Sequence, residues 1–215
     1  LIEPFGDRAL LVTFGDAIDP EVNARVHQLA AWLVACRSEG LGAPVPAYAS
    51  LLVPFSPALL DVNRATELVT DAMRRVLASQ LEPDAPETVV EIPVRYGGED
   101  GPDLAEVAAR VGRSQADVVT LHSGTVYRVY MLGFSPGFGY LGTLPEALAL
   151  PRRAEPRVRV PAGSVAIAER QTAVYPSSSP GGWHLIGRTD LVMWNPSATP
   201  PARLSPGQRV RFVPA

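Results

Sequence analysis

The sequence predicts an α+β chain of two domains: a small ferredoxin-like α/β sandwich, then a β-rich barrel or sandwich. Three observations predict it. Helix-like and strand-like apolar patterns alternate up to about residue 86, where a proline-rich stretch (residues 82–86) breaks them. Past residue 124 the pattern changes to short extended runs split by glycine and proline. Charge changes there too: residues 1–123 carry 18 acids and 9 arginines, a net of −9, whereas residues 124–215 carry 4 acids and 10 arginines, a net of +6. The expected domains are residues 1–86 and 87–215, with a helical connector at 102–123.

In residues 8–15, Leu10, Val12 and Phe14 share one face, as in a half-buried strand. Asp19-Pro20 opens a helix, with Asp19 as N-cap and Pro20 at the first helical position. Val22, Val26, Leu29 and Leu33 make its core stripe, and Gly40 and Gly42 end it. Residues 48–55 read as a second strand, with a hairpin partner from Val45; Pro54 marks its end as an edge. Asp61 caps a second helix that carries Ala65, Leu68, Val69, Ala72, Met73 and Val76 on one side. Together these place helices on one face of an antiparallel sheet. Residues 88–96 alternate through Val90, Ile92, Val94 and Tyr96 in a further strand. Leu104, Val107, Ala108 and Val111 form one face of a connector helix that Gly112 stops. Ser114 with Asp117 is a capping-box start for the next helix, ending near His122. Extended runs follow at 125–132, 157–160, 165–168, 172–175, 183–187, 191–194 and 209–213.

Composition excludes several classes of function. The chain is 47% hydrophobic and 19% charged, enough apolar material for real cores. No apolar run reaches the ~20 residues of a membrane span. Glu3, Pro4, Gly6 and Asp7 stand where a signal peptide would be apolar. Cys36 is the only cysteine, so no internal disulfide and no cysteine metal site forms. A cytoplasmic protein is expected, with no membrane or nucleic-acid partner. All 19 basic residues are arginine, which excludes a P-loop lysine and a Schiff-base lysine. No histidine or acid cluster has metal-ligand spacing, so no metal site is expected.

Three segments can carry chemistry. In residues 133–142, Gly137, Gly139 and Gly142 fit G-x-G-x-x-G, but Pro145 interrupts any following helix and Arg157 stands near the place of a ribose-binding acid. No NAD site is expected. The segment reads either as a barrel corner or as a backbone close to a ligand, with Gly133, Phe134, Gly137, Phe138 and Tyr140 as substrate-binding candidates. In residues 180–188, alternation puts Trp183 and Leu185 on one face and His184 on the other. His184 is a candidate acid/base and Trp183 a substrate contact. In residues 157–172, Arg157 and Arg159 point the same way and could clamp a carboxylate or phosphate. Gln171 could donate to a carbonyl, and Ser164 is a turn residue or a substrate contact. His122, at a helix C-terminus where its charge would suit the dipole, is a further candidate.

These segments also resemble a known family. The run Tyr127-Arg128-Val129-Tyr130-Met131-Leu132-Gly133-Phe134-Ser135-Pro136-Gly137-Phe138, on to Gly142, is similar to the signature of allophanate hydrolase subunit 1, also called the B subunit of 5-oxoprolinase (PxpB) or the KipI family. So are Leu150-Pro151-Arg152-Arg153, Arg159-Val160-Pro161-Ala162-Gly163-Ser164-Val165, residues 179–189 and Gly6-Asp7-Arg8-Ala9-Leu10-Leu11-Val12. Ala49 replaces a usual arginine, and Gly139 a frequent proline. The resemblance implies a cyclophilin-like β-barrel for the second domain. It implies ATP-dependent opening of 5-oxo-L-proline to L-glutamate, ADP and phosphate, in complex with the family's subunit 2 (PxpC type) and a third subunit (PxpA type). ATP, with Mg2+, would bind in that complex, either on this chain or at the partner subunit. Within it, His184, Arg159 and Gln171 are the expected catalytic residues. The alternatives are an inhibitor of a histidine kinase, or a component of a urea or allophanate amide hydrolase.

Overall fold

The computed structural model describes residues 1–79 and 89–215, and the chain divides into two compact units, Leu1–Ala85 and Pro86–Ala215. The proline-rich break and the expected boundary at residues 86–87 lie outside the described residues.

The first unit contains β1 (Ile2–Pro4), β2 (Ala9–Thr13), α1 (Pro20–Cys36), β3 (Val45–Pro46), β4 (Ser50–Pro54) and α2 (Val62–Ala78). Its antiparallel sheet has the order β1-β2-β4-β3. Leu10 and Val12 of β2 and Leu51 and Val53 of β4 alternate inward. There they meet Val26, Leu29 and Leu33 of α1 and Ala65, Val69, Ala72 and Val76 of α2. Burial of each large apolar side chain contributes ~1.5–3 kcal/mol. Asp19 caps α1 by accepting from the Glu21 and Val22 amides at 2.8 and 2.9 Å, and Asp61 caps α2 through the Arg64 amide at 2.9 Å.

The chain order is ββαββα, not the βαββαβ of a ferredoxin-like sandwich. The same sheet order would arise from the ferredoxin-like one if its last strand were moved to the front of the chain. That strand, β1, is three residues with two prolyl or acidic positions, too short to alternate visibly. Two local readings also change. Pro54 does not mark an edge strand, because β4 pairs on both sides and Pro54 uses its carbonyl to accept from Gly42 N at 2.8 Å. Asn23 replaces Val22 on the core stripe: it is fully buried and donates to the Ala47 and Tyr48 carbonyls, 3.1 Å each.

The second unit contains β5 (Val90–Tyr96), α3 (Leu104–Arg110), α4 (Gln115–Ser123), β6 (Val126–Leu132), β7 (Gly139–Gly142), a 3-10 turn (Glu146–Leu148), β8 (Arg157–Val160), β9 (Ser164–Ala168), β10 (Gln171–Val174), β11 (Ser179–Gly181), β12 (His184–Arg188) and β13 (Arg209–Pro214). Seven strands close a barrel in the order β10-β7-β6-β13-β5-β12-β9, and β8 with β11 forms a separate two-stranded ribbon. All barrel pairs are antiparallel except β13 with β5. The interior is filled by Ile92, Val94, Val129, Leu141, Ile167 and Phe212 among others, as small barrels require.

Residues 191–194 form no strand except an isolated bridge at Trp194, and residues 157–160 belong to the ribbon rather than the barrel. The Ser114–Asp117 capping box is present, and α4 ends at Ser123, next to His122.

Candidate functional site

The outer face of the barrel, rather than its filled interior, carries a pocket. Ala166, Ala168 and Ala173 alternate outward on β9 and β10, where their small side chains leave room for large neighbours. Phe138, Tyr175, Trp183 and Leu185 fill that room, with Val160 of the ribbon packed beside them.

Phe138 is the hub of the aromatic group. Its ring centroid lies 5.2 Å from Phe134, 5.0 Å from Tyr140, 5.3 Å from Tyr175 and 6.0 Å from Trp183, all edge-to-face. This geometry sets the positive edge of one ring on the negative face of the next. A cavity of about 180 Å³ opens against these five rings. Its remaining lining is Arg152, Arg153, Pro156, Gly181 and Gly182. Phe134 stands at the rim, 61% exposed, in the left-handed region at φ 67°. At Gly181 any side chain would strike the Tyr175 hydroxyl, so glycine is needed for the ribbon to pass there.

The arginine wall is held from behind. The Arg153 amide donates to the Gly182 carbonyl at 2.8 Å. Its guanidinium Nη1 donates to Asp103 Oδ1 at 3.2 Å and lies 3.7 Å from Glu106. Arg157 forks onto the same Asp103 carboxylate at 2.7 and 2.8 Å. Arg152 pairs with Glu169 at 3.3 Å on the surface. Burial by itself would raise the Asp103 carboxyl. The hydrogen bonds from Arg157 and Leu185 N–H, with the charges of Arg157 and Arg153, outweigh it and hold the group below the usual carboxylate range.

Of the expected substrate contacts, Phe134, Phe138, Tyr140 and Trp183 line this cavity together. Gly133 and Gly137 do not: they shape the turn that presents the rings. Gly133 N donates to the Phe138 carbonyl at 3.0 Å. Gly137, at φ 81°, packs where a Cβ would sit 2.8 Å from Trp194 Cβ and 2.9 Å from the Met193 carbonyl. The proximity that required glycine is to the protein itself. Ser164 is buried on β9, where its carbonyl accepts from Tyr175 N at 2.9 Å. Gln171 is buried on β10 between β7 and β9.

Neither Arg159 nor His184 lines the cavity. Arg159 is exposed and donates to Ser178 Oγ at 3.1 Å. The fork of Arg157 is filled by Asp103, so the pair is not an open clamp. His184 is fully buried, and its Nε2 donates to the Pro151 carbonyl at 3.0 Å, behind the wall that carries Arg152 and Arg153.

His122 lies apart, inside the barrel. It meets Tyr96, Tyr127, Thr172 and Phe212, from four different strands or strand ends. Burial pushes its pKa from 6.5 down to about 3. The ring is therefore neutral, and the expected charge at the end of α4 is not carried there. Sequence reading missed Asp103, Arg152 and Arg153 as a group. Gly101-Pro102-Asp103 looks like an ordinary helix start, yet the Asp103 side chain makes no cap bond to α3.

The described residues hold no cluster of three or more His, Cys, Asp or Glu side chains that could hold a metal ion. No helix among them is long and apolar enough to cross a membrane.

With this geometry in view, three comparisons place the chain. Residues 1–204 match the family described as carboxyltransferase domain, subdomain C and D. The B subunit of 5-oxoprolinase from Bacillus subtilis is 41% identical over 219 residues, covering 99% of this chain and 91% of that protein. The B subunit of 5-oxoprolinase from Escherichia coli O157:H7 is 55% identical over 152 residues, 68% of this chain and 69% of that one. The crystal structure of TTHA0988 superposes with a TM-score of 0.85 at 42% identity; it covers 97% of this chain, which spans about 40% of the length of TTHA0988. The chain belongs to the carboxyltransferase domain C/D family, in the group that includes the B subunit of 5-oxoprolinase.

Proposed function

We propose that the protein is a subunit of an ATP-dependent 5-oxoprolinase and that its aromatic pocket holds the substrate ring. The observation that carries the proposal is the pairing of near full-length similarity to the B subunit of 5-oxoprolinase with a pocket of five aromatic rings and two arginines. The reaction converts 5-oxo-L-proline, ATP and water to L-glutamate, ADP and phosphate. ATP phosphorylates the lactam oxygen; one water adds to the activated carbon and the C–N bond breaks, leaving a γ-glutamyl phosphate, and a second water releases phosphate. Mg2+–ATP is assigned to a partner of the subunit 2 type, and a third subunit completes the enzyme. The barrel is read as cyclophilin-like.

In this reading Arg152 and Arg153 take the substrate carboxylate, the role expected of Arg159. The rings hold the apolar edge of the lactam and exclude water. His184 acts through Pro151, keeping the arginine wall in place, and Gln171 supports the barrel where β10 pairs with β7 and β9. Proton transfer falls to groups that the complex supplies.

Reconstitution of all three subunits with 5-oxoproline and ATP tests the proposal, with glutamate and ADP measured together. Turnover is expected only when this chain is present. Arg153→Gln and Trp183→Ala are expected to lower kcat/KM at least ~10-fold, the scale of one charge-assisted contact; Arg159→Ala is expected to leave it near wild type. A complex that turns over without this chain would sink the proposal, as would one with no 5-oxoproline-dependent ATP hydrolysis.

A further inference from the structure

We propose that Asp103 is a positioning residue for the pocket, fixing the segment that presents Arg152 and Arg153 to a ring-bound carboxylate. The inference rests on the reading of the pocket as a site for a small ring carboxylate.

Asp103 is only 4% exposed, although it stands at the start of a helix. Its carboxylate is not used to cap that helix. It joins its own stretch of chain to two others far away in sequence, residues 153–157 and 185. Oδ2 accepts from the Leu185 amide at 2.7 Å, next to His184 on β12. Both oxygens accept the Arg157 fork at the start of β8. Oδ1 also accepts from Arg153. The Asp103 amide donates back to the Leu185 carbonyl at 2.9 Å, which fixes the carboxylate against the barrel. The Arg152–Arg153 wall is thus held at Arg153 and Arg157 by one carboxylate and at Pro151 by His184.

The surrounding charges are Arg153, Arg157 and Arg110 against Asp103 and Glu106, with Glu106 between Arg110 and Arg153. One positive charge is left over. Arg153 and Arg157 have side chains only 26% and 25% exposed, so removal of their shared carboxylate leaves two partly buried cations without it. Nε of Arg153 is itself buried with no acceptor among the described residues.

Two roles for Asp103 predict effects of opposite sign. If it acted only through its field, Asp103→Asn would remove a negative charge near the pocket and tighten carboxylate binding. If it positions the wall, the same substitution loosens the arginines and weakens carboxylate binding.

The full chain is titrated calorimetrically with 5-oxo-L-proline and with 2-pyrrolidinone, the same ring without the carboxylate. Wild type is expected to bind 5-oxoproline more tightly than 2-pyrrolidinone. Asp103→Asn is expected to weaken 5-oxoproline at least ~10-fold and to leave 2-pyrrolidinone within ~2-fold, since a charge-assisted contact is lost only for the acid. Asp103→Glu, which keeps the charge, recovers part of the loss. Arg157→Lys keeps its charge but loses the fork, and shows the same split should Asp103→Asn fail to fold by circular dichroism. Unchanged or tighter binding of 5-oxoproline by the variants overturns the inference. So does an equal loss of both ligands, or a wild-type chain that binds neither. Turnover by the reconstituted enzyme is read separately: a binding split without turnover sinks the enzymatic reading and leaves Asp103 in this role. Turnover without the split does the reverse.

Discussion

Acidification sets the solvent against His122, and the cost can be worked from its contacts. Thr172 Oγ1 donates to the Ala166 carbonyl at 3.1 Å, so toward His122 it can only accept, from Nε2–H at 2.9 Å. Nδ1 must then accept the Tyr96 hydroxyl proton, at 2.7 Å. The neutral ring is fully satisfied. A second ring proton would point at the Tyr96 hydroxyl hydrogen, in a site where the Phe212 ring centroid lies 4.5 Å away and no carboxylate is bonded to the ring. Burial accordingly pushes the pKa from 6.5 to about 3, a cost on the order of 5 kcal/mol for charging the ring in the folded chain.

The folded pKa lies below the unfolded one. Between about pH 6.5 and about 3 the unfolded chain therefore binds a proton that the folded chain refuses, and stability falls as pH falls, by up to about 1.4 kcal/mol per unit. From pH 7 to pH 5 this one group removes about 2 kcal/mol. Urea denaturation of wild type and His122→Gln at both pH values measures it: the variant, less stable at pH 7, should lose about 2 kcal/mol less on acidification. Ring nitrogen chemical shifts should meanwhile report a neutral Nε2–H tautomer down to pH 4. A ring that titrates near 6.5, or equal acid losses in the two proteins, would refute the reasoning.

Three further substitutions separate turn from pocket. Gly137→Ala should cost about 1–3 kcal/mol, seen as a lower Tm, because it adds a Cβ against Trp194 and Met193 at φ 81°. Phe138→Ala should destabilise by ~3–5 kcal/mol, since the ring is buried at the hub of the cluster. Phe134→Ala, at the exposed rim, should change stability by no more than ~0.5 kcal/mol while weakening 5-oxoproline binding in the same titration.

What could be read from the sequence was what depends on near neighbours. Asp19-Pro20, Asp61 and Ser114–Asp117 each signal a helix start within four residues, and all three caps form. The alternation of Val90, Ile92 and Val94 marks β5 for the same reason. Gly139–Gly142 and Ser179–Gly181 are strands without β-branched side chains, held by their barrel and ribbon partners, and nothing local announces them. The run at 191–194 has the opposite fault. Its apolar pattern suits a strand, but its backbone carbonyls are taken by Arg203, through Nε to Val192 and through the amide to Met193. The site divides the same way. Four of its five aromatic residues were visible in two glycine-flanked segments; Tyr175, on a strand end outside both, was not. Its arginine wall depends on Asp103, 54 residues before Arg157 in the chain, a pairing that no spacing rule reports.

The filled barrel explains why the pocket lies outside it. Tyr127, Phe212 and His122 occupy the end of the interior near α4 and satisfy one another, with Tyr127 Oη donating to the His122 carbonyl at 2.9 Å. A ligand admitted there would have to displace a paired polar network, at the cost of each bond left unmade. On the outer face the arithmetic reverses. Three alanines lower the barrel surface, the rings rise from it, and the ribbon approaches through glycines at 181 and 182. At this wall Asp103 and Glu106 meet Arg110, Arg153 and Arg157 with one positive charge to spare. On the proposed reading, an apolar shelf beside a held cation would select for a molecule that has both a ring face and an acid, and against either alone.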